Sequence, residues 1–252
     1  MKRSLILALF LLNLSVFAQE QYGGYTVGRW HAAKVDETIF FRLTKDAKEN
    51  CPKFQMKTVL DATPDEIILP ILEYANYANT MPRMYESNVR HTTENETLSI
   101  PMSKQLGKIQ NIPNAALSIV QFKVDIPNWW DRAYTLLLAS HKDIETQEIF
   151  VYWTQFDEAN FKAMTGPWKT IAPDPYRTNF WGNRVFNTGT YPNDNEDLYG
   201  HWHLTPLSDT QTDVFYETYI DPGSLGRSQM DSIVRNTLED LPKIILTIRE
   251  GL

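Results

Sequence analysis

HWHLTPLSDTQTDVFYETYIDPGSLGRSQMDSIVRNTLEDLPKIILTIREGL, residues 201–252, reads as strand, turn, strand, tight turn and then one long amphipathic helix. Along the second strand Val214, Tyr216, Thr218 and Ile220 alternate with Asp213, Phe215, Glu217 and Tyr219, so both faces carry bulk, as expected where one face lines something apolar. Asp221-Pro222-Gly223 ends that strand. Ser228, with Asp231 three positions on, predicts a capping-box-like helix start. Met230, Ile233, Val234, Leu238, Leu241, Ile245 and Ile248 then recur at helical spacing as one apolar stripe that needs a partner surface. The partner at hand is the sheet that immediately precedes it.

Working back from this segment, residues 116–126 (ALSIVQFKVDI), 132–141 (RAYTLLLASH) and 148–155 (EIFVYWTQ) read as consecutive antiparallel strands, separated by Pro127 and the polar KDIETQ. Residues 157–177 carry Gly166, Pro167, Pro173 and Pro175 and read as a loop or short helix. Strand patterns resume in NFWGNRVFNTGTYP (179–192) and DLYGHWHLTP (197–206), on either side of the acidic NDNED. Upstream, KFQMKTVLDAT (53–63) alternates like a strand. Thr63-Pro64-Asp65-Glu66 then opens a helix, with Thr63 as N-cap, Pro64 in the first helical position, acids in the first turn and Pro70 inside. Residues 19–48 begin with the Gly- and Tyr-rich QYGGYTVGRW and have mixed periodicity; they read as an extension packed on a domain of residues 49–252.

The chain starts with Met1-Lys2-Arg3 and SLILALFLLNLSVFA (4–18), a basic stretch followed by an apolar run of signal-peptide length, with Val16 and Ala18 before a cut ahead of Gln19. The run is short for a membrane span, and no cysteine follows the cut to take a lipid. A periplasmic or secreted protein, not an integral membrane protein, is expected. Without Lys2 and Arg3 the formal charge moves from −7 to −9, which argues against nucleic acid or anionic membrane as an electrostatic partner. The remaining length suits one large domain, expected to be a monomer. Its single cysteine, Cys51, has no partner for an internal disulfide and reads as a structural thiol.

Few residues carry a recognisable chemistry. His201 and His203, two apart on a strand, project from one face and offer half a zinc site; no neighbouring His or Cys supplies a third ligand, so no metal is expected. Trp202 and Leu204 point the other way and are the better candidates if the strand lines a cavity. The acidic NDNEDLYG lacks the spacing and the closing Glu of an EF-hand and reads as a hydrated loop. No Gly-x-Ser-x-Gly, His-Glu-x-x-His, phosphate-binding loop or dinucleotide fingerprint occurs, so no catalytic residue and no cofactor is assigned. Seven Trp, twelve Tyr and twelve Phe, many of them in two-sided strands, fit either a sheet covered on both faces or a deep curved sheet around a ligand; a generous core is the plain alternative.

Four segments resemble a START domain, the StAR-related lipid-transfer branch of the helix-grip superfamily. They are PNWWDRAYTLLL (127–138), GHWHLTPLSDTQTDVFYETYIDPG (200–223), the terminal helix, and DATPDEIILPILEY (61–74), together spanning roughly residues 50–252. The family's Arg-Asp pair is reversed here as Asp131-Arg132, and the Pro and Trp that usually open the last helix are missing. The position of the family's cavity Arg, six beyond the Arg at the start of that strand, is Leu138, so the resemblance carries no charged cavity over to this chain.

The resemblance implies an α+β helix-grip fold, in which a curved antiparallel sheet wraps a long C-terminal helix and one lipid or other hydrophobic small molecule is held between them without chemistry. DPGSLGR (221–227) would be the gate, with Gly223 and Gly226 supplying backbone freedom. On this reading Met230, Val234 and Leu238 face the ligand, Leu241, Ile245 and Ile248 anchor the far end of the helix beyond Pro242, Trp202 and Leu204 line the sheet, and Arg184, Tyr152 or Tyr216 orients the ligand. A small-molecule enzyme of polyketide cyclase or hydratase type in the same pocket is the alternative.

Overall fold

The computed structural model describes residues 20–103, 108–124, 131–155, 185–188, 196–222 and 227–252. In chain order its strands are β1 (Gln21–Tyr22), β2 (Tyr25–Thr26), β3 (His31–Ala32), β4 (Phe40–Thr44) and β5 (Lys53–Leu60), followed by helix α1 (Pro64–Leu72), a single 3-10 turn at Tyr74–Asn76 and the short helix α2 (Tyr77–Thr80). Then come β6 (Met84–Ser103), β7 (Lys108–Val124), β8 (Asp131–Lys142), β9 (Ile149–Gln155), β10 (Val185–Thr188), β11 (Glu196–Ser208), β12 (Gln211–Pro222) and helix α3 (Met230–Glu250). β1 and β2 form a hairpin of their own. The remaining described strands make one sheet in the order β3-β4-β5-β12-β11-β9-β8-β7-β6, antiparallel along that path, with β10 parallel to β8. The architecture is α+β: a long antiparallel sheet with a C-terminal helix, the helix-grip arrangement.

Residues directly opposite one another in such a sheet share a face, so register sorts the side chains into two layers. One layer holds the row Phe41, Met56, Tyr216, Trp202, Val151 and the row Leu43, Phe54, Thr218, Gly200, Trp153, Leu138. The other holds Phe40, Lys57, Phe215, His203, Phe150 and, beside them, Arg42, Gln55, Glu217, His201, Tyr152. On β5 the second layer is open, with Lys57 and Val59 exposed, whereas Phe54, Met56 and Leu60 are buried, so α3, which packs on β5, covers the first layer. That layer is called inward below. Over β7 and β8 the outward positions Leu117, Ile119, Leu137 and Ala139 are buried too, so the central strands are covered on both faces. This accounts for their continuous apolar runs.

Helix α3 buries Met230, Val234, Leu238, Leu241, Ile245 and Ile248, the stripe its sequence displays, with Pro242 buried among them. The predicted capping box does not form. Gln229 is the N-cap and caps with no side chain, because a helix starting at Met230 puts Ser232, not Asp231, at the third position. Asp231 instead accepts a hydrogen bond at 2.8 Å from the backbone N–H of Gly23, in the β1–β2 hairpin. Thr63, by contrast, caps α1 as expected: its hydroxyl accepts from the Glu66 N–H while the Glu66 carboxylate accepts from the Thr63 N–H.

Residues read as an extension on the domain prove to be part of the sheet, since β4 pairs with β5 and β3 with β4. The loop between β3 and β4 also holds the far end of the helix. Asp36 accepts from the hydroxyl and backbone N–H of Thr38 and pairs with Arg249, and in that order of importance these partners bring its carboxyl from 3.8 down to about 2. A depressed carboxylate stabilises the fold in full above its unfolded value and loses that contribution as pH falls through its folded one. Asp36→Asn should therefore lower the thermal midpoint at pH 7, with the difference from the parent shrinking below about pH 4 and lost as pH falls through about 2. Paired melts at the two pH values check this.

Candidate ligand-binding site

The inward face is aromatic at its centre. Trp202 on β11 and Tyr216 on β12 are opposite each other with ring centroids 4.5 Å apart, and Trp153 on β9 stacks on Tyr216 at 5.2 Å. Gly200 makes room for this packing: a Cβ there would lie 2.3 Å from Cζ2 of Trp153 and 2.2 Å from the carbonyl oxygen of Glu217. The indole thus lies flush on the strand, where any side chain would prop it away.

The turn after α1 adds two further rings. Tyr74 and Tyr77, three apart, pack edge to face at 5.5 Å, and the Tyr77 hydroxyl donates to the carbonyl of Ile71. Burial raises the pKa of the Tyr77 hydroxyl well above the usual phenol value, and the hydroxyls of Tyr74 and Tyr216 push it further in the same direction. Burial likewise raises that of Tyr216, against an opposing hydrogen bond with Thr218. Both residues nonetheless keep accessible surface and are only half-buried. Tyr216 thus lies with Trp153 and Trp202 on the inward face, and Tyr74 packs with Tyr77 in the turn after α1.

The residues expected from sequence divide accordingly. Trp202 and Tyr216 meet on the inward face, and Met230 and Leu238 are buried on the helix stripe that covers it, each keeping a small accessible area. Leu204 also points inward but has no accessible surface. Val234 is sealed as well, and a Cβ on Gly23 would come within 3.2 Å of its Cγ1, which places it under the N-terminal hairpin. Tyr152 requires a correction: it lies on the outward face, opposite His201 and stacked in line with Phe150, because its register partners alternate away from Trp202. Arg184 lies outside the described residues. Tyr74 and Tyr77 were missed, and the signal available was their spacing of three just beyond α1.

His201 and His203 share the outward face with these rings. His203 stacks on Phe150 at 4.3 Å, and its Nε2 is 3.5 Å from Glu148 and 3.1 Å from the Thr205 hydroxyl. Among the described residues no group of three metal-ligating side chains gathers around them. No described helix is long and apolar enough to cross a membrane.

The segment expected to gate the cavity, residues 221–227, has its ends described and its middle, residues 223–226, outside the described set. Across it, Arg227 makes a two-pronged contact with Asp221, Nε to Oδ1 at 2.9 Å and Nη2 to Oδ2 at 2.7 Å. The Asp221 side chain is fully buried and also accepts from Asn50 at 3.2 Å. Cys51 is beside this pair; burial, then the Asp221 carboxylate, pushes its thiol up to about 12, which makes it a poor nucleophile, as a structural thiol should be.

No family model matches this sequence, and no curated protein does. Solved structures do match in fold. A fragment of a STAR-related lipid transfer protein from Xanthomonas axonopodis is 15% identical, covering 87% of this chain and 98% of its own, at a TM-score of 0.55. The human StarD13 lipid transfer and protein localization domain is 8% identical over 97% of this chain and 95% of its own, at 0.56, and human StAR-related lipid transfer protein 5 is 10% identical over 99% and 94%, at 0.54. At these identities the likeness establishes the fold, and the fold is START-like.

Proposed function

We propose, from a START-like fold with an aromatic interior, that this protein binds or transfers a lipid or other hydrophobic small molecule without catalysing a reaction on it, and that it does so outside the cytoplasm, after removal of residues 1–18. The observation that carries the reading is the group of rings on the inward face, Trp153, Trp202 and Tyr216, on the side of the sheet that α3 covers with its buried apolar stripe. Support comes from the matched structures, whose names describe lipid-transfer proteins. Affinity would come from burying apolar ligand surface, at roughly 25 cal/mol per Å2. Native mass spectrometry of the purified protein tests the reading. The expected spectrum shows added mass that disappears on denaturation, or, after delipidation, stoichiometric uptake of the neutral dye Nile red. A bare chain that takes up no apolar probe would leave an exported domain whose interior is filled by its own side chains.

A further inference from the structure

The two ends of α3 are held by different kinds of structure. Its last turn is tied through Arg249 to Asp36, in the loop between two strands of the main sheet. Its first turn is tied to the β1–β2 hairpin, which forms a two-stranded sheet of its own. That hairpin turns through Gly23 and Gly24, with φ of 59° and 91°, the positive values that a tight connection between twisted antiparallel strands demands. Its tip lies directly on the helix. The Gly23 N–H donates to Oδ1 of Asp231 at 2.8 Å, and a Cβ on Gly23 would come within 3.0 Å of the Asp231 carbonyl oxygen, 3.2 Å of Val234 Cγ1 and 3.3 Å of the Arg235 nitrogen. Glycine lets the turn approach the helix backbone this closely.

The hairpin is fastened by contacts that cost little to break. Its bond to Asp231 is exposed, and in its ion pair with Lys45 the Glu20 side chain is 49% exposed, a setting in which such pairs contribute little. Its base rests on the sheet through half-buried Tyr22, whose hydroxyl accepts from Lys45 at 2.8 Å, and Tyr25, edge-on to Phe41 at 5.2 Å. On the other side of the contact, α3 starts at Gln229 with no side-chain cap from that residue, so its first turn gains order from the hairpin. Segments held by solvent-exposed hydrogen bonds open locally at the least cost. The residues beneath this one are Met230, Val234 and Leu238, the half of the buried stripe that precedes Pro242. Pro242 has no N–H to return to the Leu238 carbonyl, so the helix can bend between its two halves.

We infer that the β1–β2 hairpin is a strap: fastened, it holds the first turns of α3 on the sheet, and released, it lets Met230, Val234 and Leu238 lift from the inward face so that a ligand passes beneath them. The first half of this inference stands on the contacts alone. The second rests on the reading of the interior as a ligand cavity. Leu241, Ile245 and Ile248 stay in place during the movement, because the far end of the helix is tied to a loop whose flanking strands belong to the main sheet.

Amide hydrogen exchange along α3 and the release rate of Nile red, both measured on the purified protein, test the two halves separately. Asp231→Ala should speed exchange over residues 230–238 about tenfold, leave residues 243–250 at the parent rate, and raise the Nile red dissociation rate about fivefold. Asp231→Asn, which keeps an oxygen able to accept from Gly23, should restore most of the protection, and so separates the lost hydrogen bond from the lost charge at the helix start. Gly23→Val, whose side chain has no room against Val234 and Arg235, should act in the same direction as Asp231→Ala and more strongly. Unchanged exchange over 230–238 in both Asp231→Ala and Gly23→Val, or an equal rise along the whole helix, overturns the strap. Faster local exchange with unchanged dye release leaves the hairpin as a fastener and overturns its part in ligand entry. If the parent takes up no Nile red, the cavity reading and the ligand's route fall together, while the exchange pattern still decides whether the hairpin holds the helix.

Discussion

Gly200→Ala should cost about 3 kcal/mol, among the larger effects a single added methyl produces, and should abolish uptake of an apolar probe in the same step. The new Cβ meets two neighbours at once, the Trp153 indole at 2.3 Å and the Glu217 carbonyl oxygen at 2.2 Å. Real carbon contacts do not approach that closely, so the indole has to leave the strand and the β11–β12 ladder has to open locally. The first movement pushes Trp153 into the space against Tyr216, and the second weakens the hairpin on which the inward face is built. Urea unfolding followed by tryptophan fluorescence, together with Nile red titration, reads both consequences. Trp153→Ala in the Gly200→Ala background should recover part of the stability and not all of it, since it relieves one clash of the two. Full stability in Gly200→Ala would show that the indole does not lie on Gly200.

Arg227→Ala should be of similar size, about 3 kcal/mol, for an electrostatic reason. The Asp221 side chain has no solvent exposure, and Arg227→Ala removes the guanidinium that contacts both of its carboxylate oxygens. The cost falls at the lower end of the range for broken buried pairs because Arg227 itself is 30% exposed. Cys51 reports the outcome independently: loosening this corner should speed its alkylation by iodoacetamide well beyond the parent rate. Removing both charges, as in Asp221→Asn with Arg227→Gln, should cost less than Arg227→Ala alone. If Arg227→Ala were neutral and Cys51 stayed protected, the corner would be held by its apolar packing.

The parts of this fold legible in sequence are those fixed by local periodicity or local hydrogen bonding. The stripe of α3, the β11–β12 hairpin, the Thr63–Glu66 capping box and the opposition of Trp202 to its flanking histidines all depend on spacing within one element. Tyr152 shows where this stops. Its strand carries Val151 and Trp153 on one side and Phe150 and Tyr152 on the other, so alternation separates two faces of equal bulk, and only pairing with β11 decides which faces the helix. Leu204 and Val234 have no accessible surface, and the β1–β2 hairpin, distant in sequence, comes up against Val234 at Gly23. β1, β2 and β3 have two residues each, too short to show a period. β6, with its run His91-Thr92-Thr93-Glu94-Asn95-Glu96-Thr97, is too polar to stand out as a strand, although it is 20 residues long. Tyr74 was visible only as apolar bulk continuing a helix that in fact ends at Leu72, where the chain tightens into a 3-10 turn.

The helix that closes the fold is fastened at both ends by the beginning of the chain: Gly23 to Asp231 across 208 positions, and Asp36 to Arg249 across 213. Neither contact can form before residues 231 and 249 have been made, so the segments that fasten the helix wait for it across 208 and 213 positions. Closing the helix onto the sheet therefore carries a large loop-closure cost, and it is expected to be slow beside the folding of a helical bundle of equal length. Until it is complete, the apolar inward face of the sheet is open, so the unfinished fold exposes a large apolar surface to chaperones and to its own copies.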